Sequence, residues 1–244
     1  MADSLHQELY GILRGTRDLL TDLRTMGVEE LPPAAGSSQE ERPSPEISPQ
    51  PAEPPASAGG ETLDDIRADL GDCQRCPLAE TRDRIVFGRG NPRARVVFVG
   101  EAPGREENLQ GLPFVGEAGQ LLDRILFAMG LDREEVYICN VGKCRPPGNR
   151  DPLPEEVAAC EPFLKRQLAA IRPQLLVALG RCSAQTLLRD RTPINRLRGH
   201  WREYEGIPLM PTFHPAYLLR NPGGKKEVWE DMKQVMQRLR EEVP

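Results

Sequence analysis

No run of apolar residues in this 244-residue chain approaches the roughly 20 needed to cross a bilayer, and its first residues lack the basic-then-apolar order of a secretory signal. Those absences exclude a membrane-spanning helix and a signal-directed secreted chain, so the expected compartment is the cytoplasm. Aromatic residues make up only 5% and there are three histidines, His6, His200 and His214, so imidazole chemistry has few places to reside. Large apolar side chains are nearly missing between residues 31 and 60, where Pro, Ser, Ala, Gly and Glu dominate. Such a stretch cannot bury enough surface to offset the entropy of ordering, and residues 31–62 read as a disordered tether. A strong charge of either sign is absent too, the formal net charge being −5. Residues 1–62 hold 4 basic and 11 acidic side chains, net −7, which leaves 28 basic and 26 acidic, net +2, for residues 63–244. The part expected to fold is therefore weakly basic, which permits but does not establish a polyanionic partner.

What is present divides the chain in three. Over residues 4–26, Leu5, Leu9, Ile12, Leu19 and Leu23 recur at roughly helical spacing among charged residues, so residues 1–30 are expected to form one amphipathic helix. Such a helix either packs on the domain, pairs with itself or docks a protein partner. Residues 63–244 alternate short apolar runs with helical patterns. Val96–Val99, Val136–Asn140, Leu175–Leu179 and Ile207–Phe213 read as strands. Stretches 117–129, 155–171, 184–189 and 225–240 read as helices, with Gly130 placed to end the first. The expected fold class is α/β, a three-layer α/β/α domain around a central, four-stranded, mostly parallel sheet.

In such folds ligands bind at the carboxyl ends of the strands. The first strand runs into Gly100-Glu101-Ala102-Pro103-Gly104, the second ends at Asn140, and the fourth leads to Phe213-His214-Pro215-Ala216. Each of these residues alone has an ordinary explanation as a cap or turn former. Three of them on one sheet edge, beside the loop Gly111-Leu112-Pro113-Phe114-Val115-Gly116, form a constellation that independent turns explain poorly.

The motifs Gly100 to Gly104, Gly111 to Gly119 as GLPFVGEAG, Lys143 to Arg150 as KCRPPGNR, and His214-Pro215-Ala216 together resemble the family-four uracil-DNA glycosylases. The resemblance covers about residues 65–240 and leaves the first sixty unmatched. It implies an enzyme that flips uracil out of single- or double-stranded DNA and hydrolyses its N-glycosidic bond. The alternative is a non-catalytic DNA-binding module stabilised by an iron-sulfur cluster or zinc. A relative that stalls as a covalent adduct would need a histidine in the loop after Cys144, and residues 145–150 hold none.

Six cysteines in a cytoplasmic chain argue for metal ligands or free thiols rather than disulfides. Cys73-x2-Cys76-Pro77 and Cys144-x15-Cys160 resemble the family's ligands for a four-iron, four-sulfur cluster, whereas spacing alone leaves a four-cysteine zinc site open. Cys139 and Cys182 are left as free thiols, and strand alternation turns Cys139 away from Asn140.

Further roles follow from the resemblance joined to the chemistry of uracil. Phe114 would stack on the base, and Ala102, Glu107, Asn140 and His214 would bind it. Asn140 can satisfy the O4 acceptor and N3–H donor together, and Glu107 would stand near C5 against thymine. His214 would donate to O2 of the departing base. Glu101, as general base or electrostatic helper, would orient water, with Asn149 holding that water. Arg145, Arg150, Arg220, Lys225 and Lys226 are the candidate DNA-backbone contacts. Tyr217, Leu218 and Leu219 are either a wedge or a buried helix start. The chain is expected to act as a monomer.

Overall fold

Apolar runs alternating with amphipathic stretches are satisfied by a sheet whose two faces are each covered with helices. The computed structural model, which describes residues 2–31 and 60–241, has that form. The tether expected over 31–62 falls almost wholly outside the described residues. In chain order the elements are α1 (Ala2–Met26), α2 (Leu63–Leu70), β1 (Arg89–Gly90), β2 (Val96–Gly100), α3 (Arg105–Gln110), α4 (Glu117–Met129) and β3 (Tyr137–Asn140). There follow α5 (Pro154–Ile171), β4 (Leu175–Leu179), α6 (Arg181–Leu188), α7 (Ile194–Leu197), β5 (Arg202–Tyr204), β6 (Ile207–Thr212), α8 (Pro215–Arg220) and α9 (Lys225–Glu241). No helix among the described residues is long and apolar enough to cross a membrane.

The sheet runs β1-β3-β2-β4-β6-β5. Its four central strands are parallel, with Gly100 in register with Asn140 and Val99 with Ala178. The expected sheet of four strands is thus corrected to six, because β1 and β5 add antiparallel edges. Both are two or three residues long and carry exposed Arg89, Arg202 and Glu203, so they have no apolar run and exist through pairing with a neighbour.

Alternation along the strands sorts the core into two layers. Val96, Phe98, Ile138, Leu175, Val177 and Met210 pack against Leu121, Ile125 and Leu126 of α4 and Val228, Met232 and Val235 of α9. Val97, Val99, Tyr137, Cys139, Leu176 and Leu209 pack against Val157, Leu164 and Leu168 of α5 and Leu187 of α6. Helix α4 spans the residues expected, and Gly130 ends it in the left-handed conformation that glycine adopts freely.

Helix α1 meets the domain through its last turns. Leu23 and Met26 enter the first core layer, while Leu9, Tyr10, Ile12 and Leu13 are exposed. Asp22 is the polar anchor, accepting from Arg124 of α4 at 2.5 Å and pairing with Lys225 of α9. Lys225 is buried by this contact. Its assignment to the DNA backbone is therefore corrected: its ammonium is committed to Asp22. Breaking a buried pair from one side strands the other charge. Asp22→Ala is expected to lower unfolding stability by about 3 kcal/mol in urea titration, and an unchanged midpoint would show that α1 is not anchored there.

Candidate active site

The carboxyl ends of β2, β3 and β6 meet around a cavity of about 390 Å³ lined by Glu101, Ala102, Glu107, Phe114, Asn140, Asn149 and His214. Asp151, Arg150 and Arg220 also line it. A parallel sheet turns its strand ends to one edge, and short loops then carry the side chains into a shared space. Two glycines decide how tightly they close. A Cβ on Gly100 would fall 2.2 Å from Asn140 Oδ1 and 2.8 Å from the Phe114 ring, and one on Gly119 would fall 1.8 Å from the Phe114 carbonyl oxygen.

Phe114 is buried, and its φ of 53° lies in the left-handed region that side chains disfavour. The loop is braced from both sides. Arg133 donates to the Phe114 carbonyl at 2.6 Å, and the amides of Val115 and Gly116 donate to Glu107 Oε1 at 2.9 and 3.1 Å. Glu107 lines the cavity, but this oxygen accepts backbone N–H groups at the start of α4, an orientation sequence alone did not suggest. The Phe114 and His214 rings lie with centroids 5.6 Å apart and planes inclined by 29°.

His214 caps α8, its Nδ1 accepting from the Ala216 amide at 3.1 Å. An acceptor Nδ1 on a neutral ring puts the proton on Nε2. Burial pushes the imidazole pKa down to about 4, with the Glu107 charge opposing and the Arg220 charge reinforcing the shift. At neutral pH His214 is thus an uncharged donor through Nε2. Glu101 is also driven toward its neutral form. Burial pushes it up to about 7, the Asp151 charge and hydrogen bond add to this, and Cys182 and Arg181 oppose it.

Asn140 is buried on the face opposite Cys139, and its backbone carbonyl accepts from Lys143 Nζ at 2.7 Å. Asn149 Oδ1 accepts from Arg145 Nε at 2.7 Å. Arg150 is forked on Glu156 at 2.7 and 2.8 Å, while Arg220 and Lys226 are exposed. Residues 215–220 form a helix, in which Leu218 is buried and Tyr217 and Leu219 are exposed. Asp151 and Arg181 were missed from sequence. Arg181 directly follows β4 and its glycine, the one central strand end passed over, and its Nη2 lies 2.5 Å from Asp151 Oδ2.

Cys73 and Cys76 precede the first strand, Cys144 follows β3 and Cys160 lies in α5. Cys144 is near enough to Cys160 and Cys76, and Cys160 to Cys76 and Cys73, for each to sense the others' charge. Three receive N–H donors: Cys160 Sγ from the Lys143 amide at 3.2 Å, Cys73 Sγ from Arg75 at 3.5 Å and Cys144 Sγ from Arg82 at 3.7 Å. Among the described residues no three or more such side chains are gathered closely enough to hold a single metal ion. Lys143 supplies a test of what would fit. Its side chain is fully buried, its ammonium donates to a carbonyl, and the groups that feel its charge are Cys139 and Cys160. A buried cation whose neighbours include the Cys139 and Cys160 thiols calls for negative charge there, and an anionic, thiolate-held cluster would provide it.

A family model described as "Uracil DNA glycosylase superfamily" matches residues 87–233. A protein named "Type-4 uracil-DNA glycosylase" from Archaeoglobus fulgidus is 47% identical over 183 residues, covering 72% of this chain and 92% of that protein. Proteins of the same name from Saccharolobus solfataricus and Thermotoga maritima are 43% and 46% identical, covering 73% and 70% of this chain and 87% and 91% of theirs.

The tautomer and charge of His214 can be read directly. Nitrogen-15 NMR at neutral pH is expected to show a neutral ring protonated at Nε2, titrating near 4. A ring doubly protonated at pH 6 would contradict the site as described.

Proposed function

The chain belongs to the uracil-DNA glycosylase superfamily and, within it, to the type-4 enzymes, and from that membership we infer that it removes uracil from DNA. It hydrolyses the bond between base and sugar and leaves an abasic site for base-excision repair. A base stacked in a duplex is beyond reach, so the nucleotide must leave the stack, and the cavity at the strand ends is the space that receives it.

Within that cavity Phe114 is the floor on which uracil stacks, with Ala102 beside it. The Asn140 carboxamide donates one hydrogen bond to O4 and accepts one from N3–H. Cytosine presents the reverse pattern and would leave buried polar groups unpaired, a mismatch that yields discrimination of about 10⁴ or more. Glu107 is the wall near C5 that turns away the thymine methyl, and it also braces the Phe114 loop. Bond breaking leaves negative charge on uracil O2 and positive charge on the sugar. His214 Nε2–H donates to O2 without having to lose solvent at the moment of reaction. Glu101, once ionised, stabilises the oxocarbenium-like sugar and orients the attacking water. Asn149, its Oδ1 fixed by Arg145, helps to hold that water. Arg145, Arg150, Arg220 and Lys226 lie in or near these loops and are the contacts to DNA phosphates. The domain formed by residues 63–244 acts as a monomer in the cytoplasm.

The observation that carries this assignment is the neutral His214, Nδ1 already bonded, in one cavity with Asn140 and Phe114. A DNA-binding module without activity would have no use for that combination. DNA carrying one uracil, with thymine and cytosine controls, is incubated with the protein and then treated with alkali. Breakage is expected at uracil alone, falling about 10²–10³-fold in His214→Ala and lost in Asn140→Ala. No breakage at uracil from iron-loaded protein, on single- or double-stranded DNA, would favour the binding module.

Cys73, Cys76, Cys144 and Cys160 would hold a four-iron, four-sulfur cluster, with Lys143 as its buried counter-charge. Such a cluster supplies a covalent staple between the segment before β1, the loop after β3 and helix α5, since N-glycosidic hydrolysis transfers no electron. Cys76→Ser is expected to lose the brown absorbance and most bound iron, and Lys143→Met to retain less iron than the native chain. Zinc in place of iron in anaerobically prepared protein would contradict the assignment.

A further inference from the structure

One carboxylate in the cavity has no part in the scheme above. Asp151 stands two positions after Asn149, ahead of α5, and lines the same space as Glu101. Its Oδ2 accepts from Arg181 Nη2 at 2.5 Å, and its carboxyl group is hydrogen-bonded to that of Glu101. Two carboxyl groups can share a hydrogen bond only when one of them carries the proton. The Arg181 hydrogen bond holds Asp151 below the usual aspartate range, so Asp151 is the charged partner and accepts from Glu101. Glu101, in its more buried place, keeps the proton.

Other groups act on Glu101 from α6. Cys182 donates a hydrogen bond to it and Arg181 contributes positive charge, both favouring ionisation. Burial pushes Cys182 itself up to about 12, so it acts as a thiol donor and not as a second anion. Glu107 of α3, His214 before α8, Tyr217 of α8, and the cations Arg150 and Arg220 complete the ionisable lining. Asp151 is therefore the negative charge in contact with Glu101, and it reaches the cavity from a different element.

We propose that Asp151, paired with Arg181, is a positioning residue for Glu101: reaching the cavity from the segment before α5, it fixes the direction of the Glu101 carboxyl and sets the charge which that carboxyl faces. This rests on the role given to Glu101 above, as the carboxylate that must be ionised to support the positive sugar. Excision should then rise with pH as Glu101 loses its proton, with a limb centred near 7. Asp151→Asn removes the opposing charge and offers Glu101 an amide donor instead. Both changes favour the ionised form, so Glu101 would carry its charge at lower pH.

The test is the single-turnover excision rate of the full chain, at saturating enzyme, across the pH range on either side of neutrality. In Asp151→Asn the acid limb is expected to move down by about one pH unit or more, with the plateau rate changed much less. Asp151→Ala should move it in the same direction. A merely structural role would lower the rate equally at every pH and leave the limb in place, which would overturn the proposal. So would an Asp151→Asn protein that folds but is inactive throughout. Glu101→Gln separates this inference from the one beneath it. If that variant keeps the native rate and limb, Glu101 has been misassigned. If it loses both while Asp151→Asn keeps the native limb, only the role of Asp151 fails.

Discussion

Gly100 closes β2 at the point where β3 ends in Asn140, and no side chain fits between them. A Cβ there would strike both the Asn140 amide oxygen and the Phe114 ring. Gly119 imposes the same condition from the other side, since a Cβ would meet the Phe114 carbonyl. These two missing side chains let the first turn of α4 press the loop against the strand ends, and the recognition geometry depends on that approach. Phe114 is held in a backbone conformation that costs about 1–2 kcal/mol. Arg133 on its carbonyl and Glu107 on the next two amides offset that cost and keep the ring from relaxing away.

Burial at these strand ends acts on Glu101 and His214, with different results for an acid and a base. It removes a proton from His214 and leaves one on Glu101, so both are driven toward neutrality. For His214 the neutral state is the useful one throughout the physiological range, because its bonded Nδ1 commits Nε2 to donation. For Glu101 the proposed role needs the ionised form, which a pKa of about 7 makes available near neutrality. Lys143 is the opposite case on the far side of Asn140: a buried cation that ties the strand end to the cysteine segment through one carbonyl and one amide.

Much of this is legible in the sequence. Helix α4 has a continuous apolar face and a terminal glycine, and its limits follow from those two signals alone. Strand β4 is equally clear as a run of five apolar residues. The polar residues after β2, β3 and β6 stand at strand ends, where ligands of parallel sheets bind, and they line one cavity. Strands β1 and β5 were illegible because short polar segments carry no periodicity, and their pairing is imposed by neighbours. Helix α2 carries Leu63, Ile66 and Leu70 at helical spacing, and Thr62 and Asp65 form a capping box that marks its start, but eight residues are too few for that periodicity to stand out. Lys225 looked like a solvated cation because its partner, Asp22, lies 203 positions away in sequence. Asp151 was hidden for a related reason: its importance comes from Arg181 and Glu101, each on a different element.

The central claim is that the strand ends read uracil through one carboxamide, that of Asn140, in the cavity it shares with Phe114. It can be tested without DNA by following the side-chain amide resonances of Asn140 by NMR while free uracil, and separately cytosine, is added to the full chain. Uracil is expected to shift both Asn140 amide protons, with cytosine causing little change. An Asn140 signal that ignores uracil, or responds equally to the two bases, would contradict the account.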